Sequence, residues 1–272
     1  MERIANKLSK LEKLLRNRIV VVSLSGGVDS ATMLLLAKRW AKKVYAVIFD
    51  APIYREDLIL RAKRLCEEKD IEYFLIERRI FEDGRITKHS DQRCYFCKQG
   101  AAGILIEICK KVSCDLAVDG TNASDLEDYR PGLRALREKG IRSPLAEVGL
   151  TKEEIREIAR LLGIPWCDDP PESCYLMRIM AGDATPERIR RISLAEKFLR
   201  EEYSLRLVRV RDHGELARIE LLSEDILKLK PKDFAYIAKR LRELGYKYVT
   251  LDLAGYHDDN IHKYLGERHC EK

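Results

Sequence analysis

Residues 19–30 read Ile-Val-Val-Val-Ser-Leu-Ser-Gly-Gly-Val-Asp-Ser. The run Ile19 to Leu24 is continuous, apolar and largely β-branched, as a parallel strand covered on both faces requires. From Ser30 to Trp40 the apolar residues recur at helical spacing. A strand that turns into a helix through Ser25-Gly26-Gly27-Val28-Asp29-Ser30 has the build of a phosphate cradle. Gly26 and Gly27 can adopt positive φ and let backbone N–H groups approach an anion closely. The helix expected to begin near Ser30 adds its positive end, and Ser25 and Ser30 carry hydroxyl donors. No Gly-Lys-Ser or Gly-Lys-Thr occurs here, so this is not the loop of γ-phosphate transfer. Asp29 suits placing Mg²⁺, or bracing the loop, better than touching phosphate. An ordinary Gly-Gly turn is the plain alternative, and six matched positions between strand and helix weigh against it.

Outward from this stretch, strand and helix alternate. Val44 to Phe49 reads as a second buried strand ending at Asp50, Arg55 to Lys69 as a helix and Glu72 to Ile76 as a third strand. Gly84 to Arg93 reads as a loop, Cys97 to Lys111 as a helix and Leu116 to Val118 as a strand. The fold class expected is α/β, a doubly wound parallel sheet. The second half changes character. Thr151 and Glu154 form a capping box for a helix ending near Gly163, followed by the loop IPWCDDPPESC. Thr185-Pro186 opens a helix running to about Tyr203. Leu205–Arg211 and Leu216–Leu222 alternate around Asp212-His213-Gly214 as a β-hairpin. A helix at Lys232–Leu244 and a strand at Tyr248–Leu253 complete a smaller α+β domain. The expected boundary lies near Gly182, giving domains 1–182 and 183–272.

The 272 residues are 46% hydrophobic, enough for a real core. Ile19 to Leu24 is too short to span a bilayer. The N-terminal MERIANKLSKLEKLLRNR is a charged amphipathic helix with no apolar signal-peptide core. A cytoplasmic protein without a membrane partner is expected. Net charge is +6, from 51 basic and 45 acidic residues spread along the chain. That favours an anionic ligand, which ATP alone satisfies, and shows no concentrated nucleic-acid-binding face. Eight cysteines in such a chain are expected to be reduced. Cys66 and Cys109 fall in helical patterns, and Cys114, Cys167 and Cys270 have no readable chemical context.

The Ser-Gly-Gly-x-Asp-Ser loop resembles that of the PP-loop ATP pyrophosphatase superfamily, whose members adenylate a substrate and release pyrophosphate. The resemblance implies that Val22, Ser23 and Leu24 flank the adenine, with Phe49 helping. Asp50 either binds Mg²⁺ or caps the following turn. Further segments narrow the resemblance: Arg93-Cys94-Tyr95-Phe96-Cys97-Lys98; Asp119-Gly120-Thr121-Asn122 with Asp125 and Asp128; Tyr129-Arg130-Pro131-Gly132; Arg142-Ser143-Pro144-Leu145; Thr151-Lys152; Arg209-Val210-Arg211 with His213-Gly214; and Ala217-Arg218-Ile219-Glu220. Together they are similar to the LarE family, ATP-dependent sulfur transferases of nickel-pincer nucleotide biosynthesis. The resemblance implies a phosphorylated substrate of the pyridinium-3,5-dicarboxylate mononucleotide type, a sulfide donor and a homo-oligomer. Two segments depart from the family pattern. Cys174-Tyr175-Leu176-Met177-Arg178-Ile179 lacks the usual serine, and Gly255-Tyr256-His257-Asp258-Asp259-Asn260 replaces the usual C-terminal motif.

Acyl adenylation needs a carboxylate held beside the α-phosphate and neutralisation of the leaving group. The phosphate loop and Mg²⁺ supply the second. Arg209 and Arg211, two apart, share one strand face and suit a substrate phosphate; a solvated charged face is the alternative. Arg218 and Glu220 share one face of the partner strand. Lys98 either reaches the phosphates or is a surface lysine. Glu196 enters the substrate site only through the resemblance, against a solvent-facing helical glutamate. The Asp119–Asn122 turn, with Gly120, follows a strand end where doubly wound sheets bind ligands; an Asx-type turn is equally natural. Cys94, Cys97 and Cys174 admit three readings. A structural zinc site lacks a convincing fourth ligand. A redox pair leaves Cys174 out. A [4Fe-4S] cluster uses all three thiolates and leaves one iron open for sulfide, and it is favoured over sacrifice of the sulfur of Cys174. Rival functions are a tRNA-thiolating enzyme, which needs an RNA-binding extension or dense basic surface, an ammonia-using synthetase, which leaves the cysteines unexplained, and a nucleotide sensor of the universal-stress type.

Overall fold

In the computed structural model, residues 2–127 and 130–256 are described. Asp128, Tyr129, His257–Asn260 and Cys270 lie outside them. The helices are α1 (Glu2–Leu15), α2 (Val28–Trp40), α3 (Glu56–Glu68), α4 (Gly84–Thr87), α5 (Arg93–Val112), α6 (Pro131–Glu138), α7 (Pro144–Glu147), α8 (Lys152–Leu161), α9 (Pro186–Tyr203), α10 (Ser223–Ile226) and α11 (Pro231–Glu243). The strands are β1 (Ile19–Ser23), β2 (Lys43–Asp50), β3 (Glu72–Glu77), β4 (Leu116–Val118), β5 (Val208–Asp212), β6 (Leu216–Leu221) and β7 (Tyr248–Leu251). The segment expected to be a loop from Gly84 carries the short α4, capped by the Asp83 carboxylate, which accepts from the Arg85 backbone N–H at 3.0 Å. The helices α6 and α7 were not anticipated; each opens on a proline.

The chain forms two compact units. The first comprises residues 1–51, 56–78 and 94–171, and the second comprises 52–55, 79–93 and 172–272. In the first, a parallel sheet has the order β3-β2-β1-β4. The alternation of β1 decides its two faces. Val20 and Val22 enter the core with Leu34, Ile155 and Ile158, while Val21 enters the opposite core with Ala102, Leu105 and Ala117. Both faces are therefore covered, as the apolar run of β1 requires. α2 is buried at Val28 and from Ser30 through Ala37, which makes it a central helix. α8 is held by the capping box: Thr151 Oγ1 accepts from Glu154 N, and the Glu154 carboxylate accepts from Thr151 N at 2.9 Å. The connections from β1 and β4 depart to opposite sides, so the crevice outside their carboxyl ends is the switch point of the sheet.

In the second unit, β5 and β6 are antiparallel and β7 joins β6 in parallel. Val208, Val210, Ile219 and Leu221 pack with Ala195 and Leu199 of α9 and with Ile237 and Leu241 of α11. The hairpin register sets Arg209 opposite Glu220 and Arg211 opposite Arg218. Among the described residues, no helix is long and apolar enough to cross a membrane.

Candidate active site

The phosphate loop ties itself together. Ser25 N donates to Ser30 Oγ at 3.2 Å, the two hydroxyl oxygens lie 3.0 Å apart, and Ser30 Oγ donates to Gly27 O at 3.1 Å. The two glycines have different tasks. Gly26 has φ +80° and passes so close to α3 that a Cβ would lie 2.2 Å from Leu58 O. Gly27 has φ −78°, extended backbone, and a Cβ there would meet only Ser25 Oγ at 3.5 Å. Only Gly26 uses its freedom of positive φ: one left-handed residue reverses the chain, and α2 begins at Val28 rather than near Ser30. Gly27 caps α2 without a side-chain bond, so the backbone donors of the first turn face the loop. Ser23 closes β1, and Phe49 lies near the end of β2.

Gly120 follows β4 and presses on the same helix. A Cβ there would lie 2.6 Å from Ser30 N and 2.7 Å from Ser30 Cα. The loops after β1 and β4 thus interlock at backbone distance. The Asx turn is present as well: the Asp119 carboxylate accepts from Thr121 N at 3.2 Å and from Ser143 Oγ at 2.7 Å. Asp29 sits in the first turn of α2. Its Oδ2 accepts from Lys152 Nζ at 2.5 Å, whereas its Oδ1 is buried with no hydrogen-bond partner. Burial raises the Asp29 pKa, with Lys152 opposing. A buried carboxylate oxygen of this kind fits a hard cation such as Mg²⁺.

Cys94 and Cys97 lie one turn apart at the start of α5, half-buried and buried respectively. Arg78 Nη1 donates to Cys97 Sγ at 3.3 Å and Nη2 to Cys97 O at 3.0 Å. Lys98 is exposed, with its stem against Gly132, where a Cβ would meet Lys98 Cγ at 2.8 Å. Cys94 and Cys97 belong to the first unit and Cys174 to the second. Among the described residues, no three His, Cys, Asp or Glu side chains gather in a metal-binding group. Cys109 and Cys114, expected to be reduced, form a disulfide. They stand at the end of α5, where Ser113 at φ +53° ends the helix and Cys114 N donates to Cys109 O at 2.8 Å. This helix-ending turn itself brings the two Cα atoms to 4.8 Å.

In the second unit, the segment carrying Cys174 is held by arginine. Arg178, wholly buried, donates through Nη1 to Ser173 Oγ (2.6 Å), Ser173 O (2.9 Å) and Cys174 O (3.2 Å). Its Nε donates to Glu196 at 2.9 Å. Glu196 is not the solvent-facing helical residue of the alternative reading. It is wholly buried and also accepts from Val210 N at 3.0 Å and Arg200 at 3.3 Å. Burial raises its pKa, but the neighbouring guanidiniums of Arg178, Arg209 and Arg200 outweigh this and hold it at about 2. Glu172 pairs with Arg55 and lies 3.4 Å from Arg209. Arg209 and Arg211 are buried, which overturns the solvated-face alternative. Arg211 pairs with Glu220 at 2.7 Å, and Arg218 pairs with Glu220 at 3.1 Å and Asp252 at 2.6 Å. Around Glu172 and Glu196, four guanidiniums (Arg55, Arg178, Arg200 and Arg209) meet two carboxylates. Burial lowers the pKa of Arg209, and the charge of Arg178 lowers it further.

Comparison with known proteins agrees with this geometry. The family profile described as queuosine biosynthesis protein QueC matches residues 19–91, which include the phosphate loop. An uncharacterized protein of Synechocystis sp. is 33% identical over 90% of this chain and 92% of its own length. An uncharacterized protein of Methanocaldococcus jannaschii is 31% identical, over 91% of this chain and 94% of its own. The pyridinium-3,5-bisthiocarboxylic acid mononucleotide synthase of Lactiplantibacillus plantarum is 29% identical over 97% of both chains. The chain belongs to the LarE family of PP-loop proteins. Its enzyme class is ATP-dependent sulfur transfer.

Seen as a LarE-family site, several positions carry more than their sequence announced. Arg178 holds the backbone on both sides of the bond between Ser173 and Cys174, although it stood in the sequence only as part of a departing motif. Glu172 and Arg55 were not singled out at all. Arg78, alone after β3, gave no local signal of its hold on Cys97. A buried arginine is detectable only once its partner is known, because its own residue type points to the surface.

Proposed function

We propose that the enzyme adenylates a carboxylate of a pyridinium dicarboxylate mononucleotide and converts it to a thiocarboxylate in nickel-pincer nucleotide synthesis. In the first step a carboxylate oxygen attacks the α-phosphorus of ATP, giving the acyl adenylate and pyrophosphate. In the second, sulfide displaces AMP to leave the thiocarboxylate and a proton, with no net oxidation. The observation that carries the reading is the burial of Arg209 and Arg211 on one face of β5. Two buried guanidiniums two residues apart suit a mononucleotide phosphate. In this reading Arg209 and Arg211 grip that phosphate, while Glu196, Arg218 and Glu220 orient the arginines and the ring.

ATP is bound by Ser23, Ser25, Gly26, Gly27, Asp29, Ser30, Phe49 and Gly120. Asp29, with its partnerless Oδ1, would hold Mg²⁺, which would neutralise charge on the leaving group. Lys98 adds positive charge there. Cys94, Cys97 and Cys174 would be the residues to hold a [4Fe-4S] cluster, which when bound would supply sulfide from a donor. Residues 1–182 serve as the ATP domain and 183–272 as the substrate and oligomerisation domain of a cytoplasmic homo-oligomer. The test mixes the protein with ATP and either the pyridinium dicarboxylate mononucleotide or tRNA, and measures pyrophosphate. Release with the mononucleotide alone is expected. Release only with tRNA would replace this reading by a tRNA-thiolating one.

A further inference from the structure

His213 lies two residues beyond Arg211, just past the end of β5. Side chains alternate along a strand, and here the alternation can be followed residue by residue. Val208 and Val210 pack with Ala195 and Leu199 of α9. Asp212 turns to the same side. Its wholly buried carboxylate accepts from Arg188 Nε at 3.1 Å and from Arg191 Nε at 2.7 Å, both on α9. Tyr246 OH at 3.1 Å and the backbone N–H of Gly214 at 2.9 Å complete the anchor. His213 donates its backbone N–H to Leu216 O at 2.9 Å, so the ladder continues to the turn. Arg209, Arg211 and His213 therefore share the other face, with Glu220 and Arg218 opposite the two arginines.

This face opens toward the turn. Arg209 is 2% exposed and Arg211 9%, whereas His213 is an exposed residue. Arg211 is engaged by Glu220 at 2.7 Å and by Met177 O at 3.0 Å, and Arg218 by Glu220 and Asp252. Among the described residues, neither ring nitrogen of His213 has a hydrogen-bond partner. The charged groups around the ring are Arg211 and Asp212 on β5 and Arg218 and Glu220 on β6. Partial burial lowers the imidazole pKa, and Arg218 and Arg211 lower it further, against the pull of Asp212 and Glu220. The ring is thus neutral at pH 7, with one N–H donor and one acceptor nitrogen. An anion docked beside it reverses the balance, because a nearby negative charge favours the imidazolium.

We propose that His213 is a third binding residue for the mononucleotide phosphate, standing at the open end of the Arg209–Arg211 face and taking up a proton as the phosphate docks. Alternate strand residues lie about 7 Å apart, a span that one phosphate bridges between the Arg211 fork and the imidazole. The proton comes from solvent and goes to the ring nitrogen that lacks one; no covalent bond to the ligand forms or breaks. The arginines carry their charge with or without ligand, whereas the imidazole adds its charge only in the complex. The inference rests on the mononucleotide reading of the site.

The experiment is titration calorimetry of the full chain with the pyridinium dicarboxylate mononucleotide from about pH 6 to 8. Each point is taken in two buffers of different ionisation enthalpy, which yields both Kd and the protons taken up. Wild type is compared with His213→Gln and His213→Ala, and thermal melting and ATP affinity check the fold of each. In wild type, binding takes up a fraction of a proton. Its affinity falls as pH rises, because the pKa is higher in the complex than in the free protein. His213→Gln loses the histidine's share of the uptake and flattens this dependence. His213→Ala binds about tenfold more weakly near pH 6, as expected for a lost charge-assisted bond, and the loss shrinks toward pH 8. His213→Gln loses less, since its amide still donates. Wild-type proton uptake in His213→Gln, or wild-type affinity in His213→Ala, overturns the assignment while mononucleotide binding stands. A wild-type protein that binds no mononucleotide overturns the mononucleotide reading and this inference together.

Discussion

Replacing Gly120 by alanine tests whether the two loops at the sheet edge form one catalytic surface. The added Cβ would lie 2.6 Å from Ser30 N and 2.7 Å from Ser30 Cα. Both atoms belong to the backbone of α2, so no side chain can rotate away. Restoring ordinary contact at 3.4 Å moves the loop after β4 and the first turn of α2 apart by about 0.8 Å. Overpacking of this kind costs about 1–3 kcal/mol, which lowers Tm by roughly 2–12 °C in a domain of this size. The larger consequence is kinetic. A misplacement approaching 1 Å at a reacting centre costs about 100-fold, and the displaced turn carries Asp29 and Ser30. Pyrophosphate release with ATP and the pyridinium dicarboxylate mononucleotide is expected to fall by about that factor. Gly103→Ala is the control: it lies in α5 with nothing within 4 Å of its Cβ, so about 0.5–1 kcal/mol of stabilisation is expected. A Gly120→Ala enzyme with wild-type melting and wild-type pyrophosphate release would refute the interlocked-loop argument.

Four further outcomes are expected. Gly26→Ala lowers Tm far more than Gly27→Ala, because only Gly26 has positive φ and abuts Leu58 O; equal shifts in thermal melts would contradict this. Glu196→Gln loses about 3–5 kcal/mol at neutral pH. The Glu196 carboxyl is held at about 2 against an ordinary 4.5, so its contribution is full above 4.5 and fades as pH falls toward 2; urea midpoints of variant and wild type should converge over that range, and a constant gap would count against it. Arg209→Ala and Arg211→Ala each weaken mononucleotide binding by about 1.5–3 kcal/mol while leaving ATP binding intact, and calorimetry showing equal loss for both ligands would sink the phosphate clamp. Reduction of Cys109–Cys114 removes about 2 kcal/mol of loop-closure stabilisation, so dithiothreitol should lower the wild-type Tm and leave Cys109→Ser unmoved.

The sheet was legible because β1 advertises itself: an uninterrupted β-branched run has few other stable placements than a central parallel strand. The hairpin was legible from its period of two, which put Arg209 with Arg211, and Arg218 with Glu220. What periodicity could not tell was that this charged face is buried. A row of alternating charges reads as solvent-exposed unless the counter-charges are known, and here Glu172 meets Arg209 while Glu220 and Asp252 meet Arg211 and Arg218. Glu196 reads as an ordinary helical glutamate for the same reason, since Arg178 lies 18 positions away. Gly26 and Gly27 were indistinguishable by residue type; the approach of Leu58 from another helix separates them. The Cys109–Cys114 bond depended on Ser113 taking the left-handed conformation, which serine rarely adopts.

The second unit draws its chain from three separated stretches, and this sets an order in time. During synthesis the first unit is complete in sequence once residue 171 has emerged. Residues 52–55 and 79–93 have emerged earlier, but their partners have not. Ile53 O waits for Tyr175 N, Thr87 O for Ala184 N, and the backbone N–H of His89 for the Asp183 carboxylate. At about 5–20 residues per second, the interval from Arg93 to Ala184 lasts roughly 5–20 s. For that period the two early segments have no native acceptor or donor at these positions. The nascent chain is most exposed to mispairing and chaperone capture within this interval, which makes the rate of translation between residues 94 and 184 a determinant of yield.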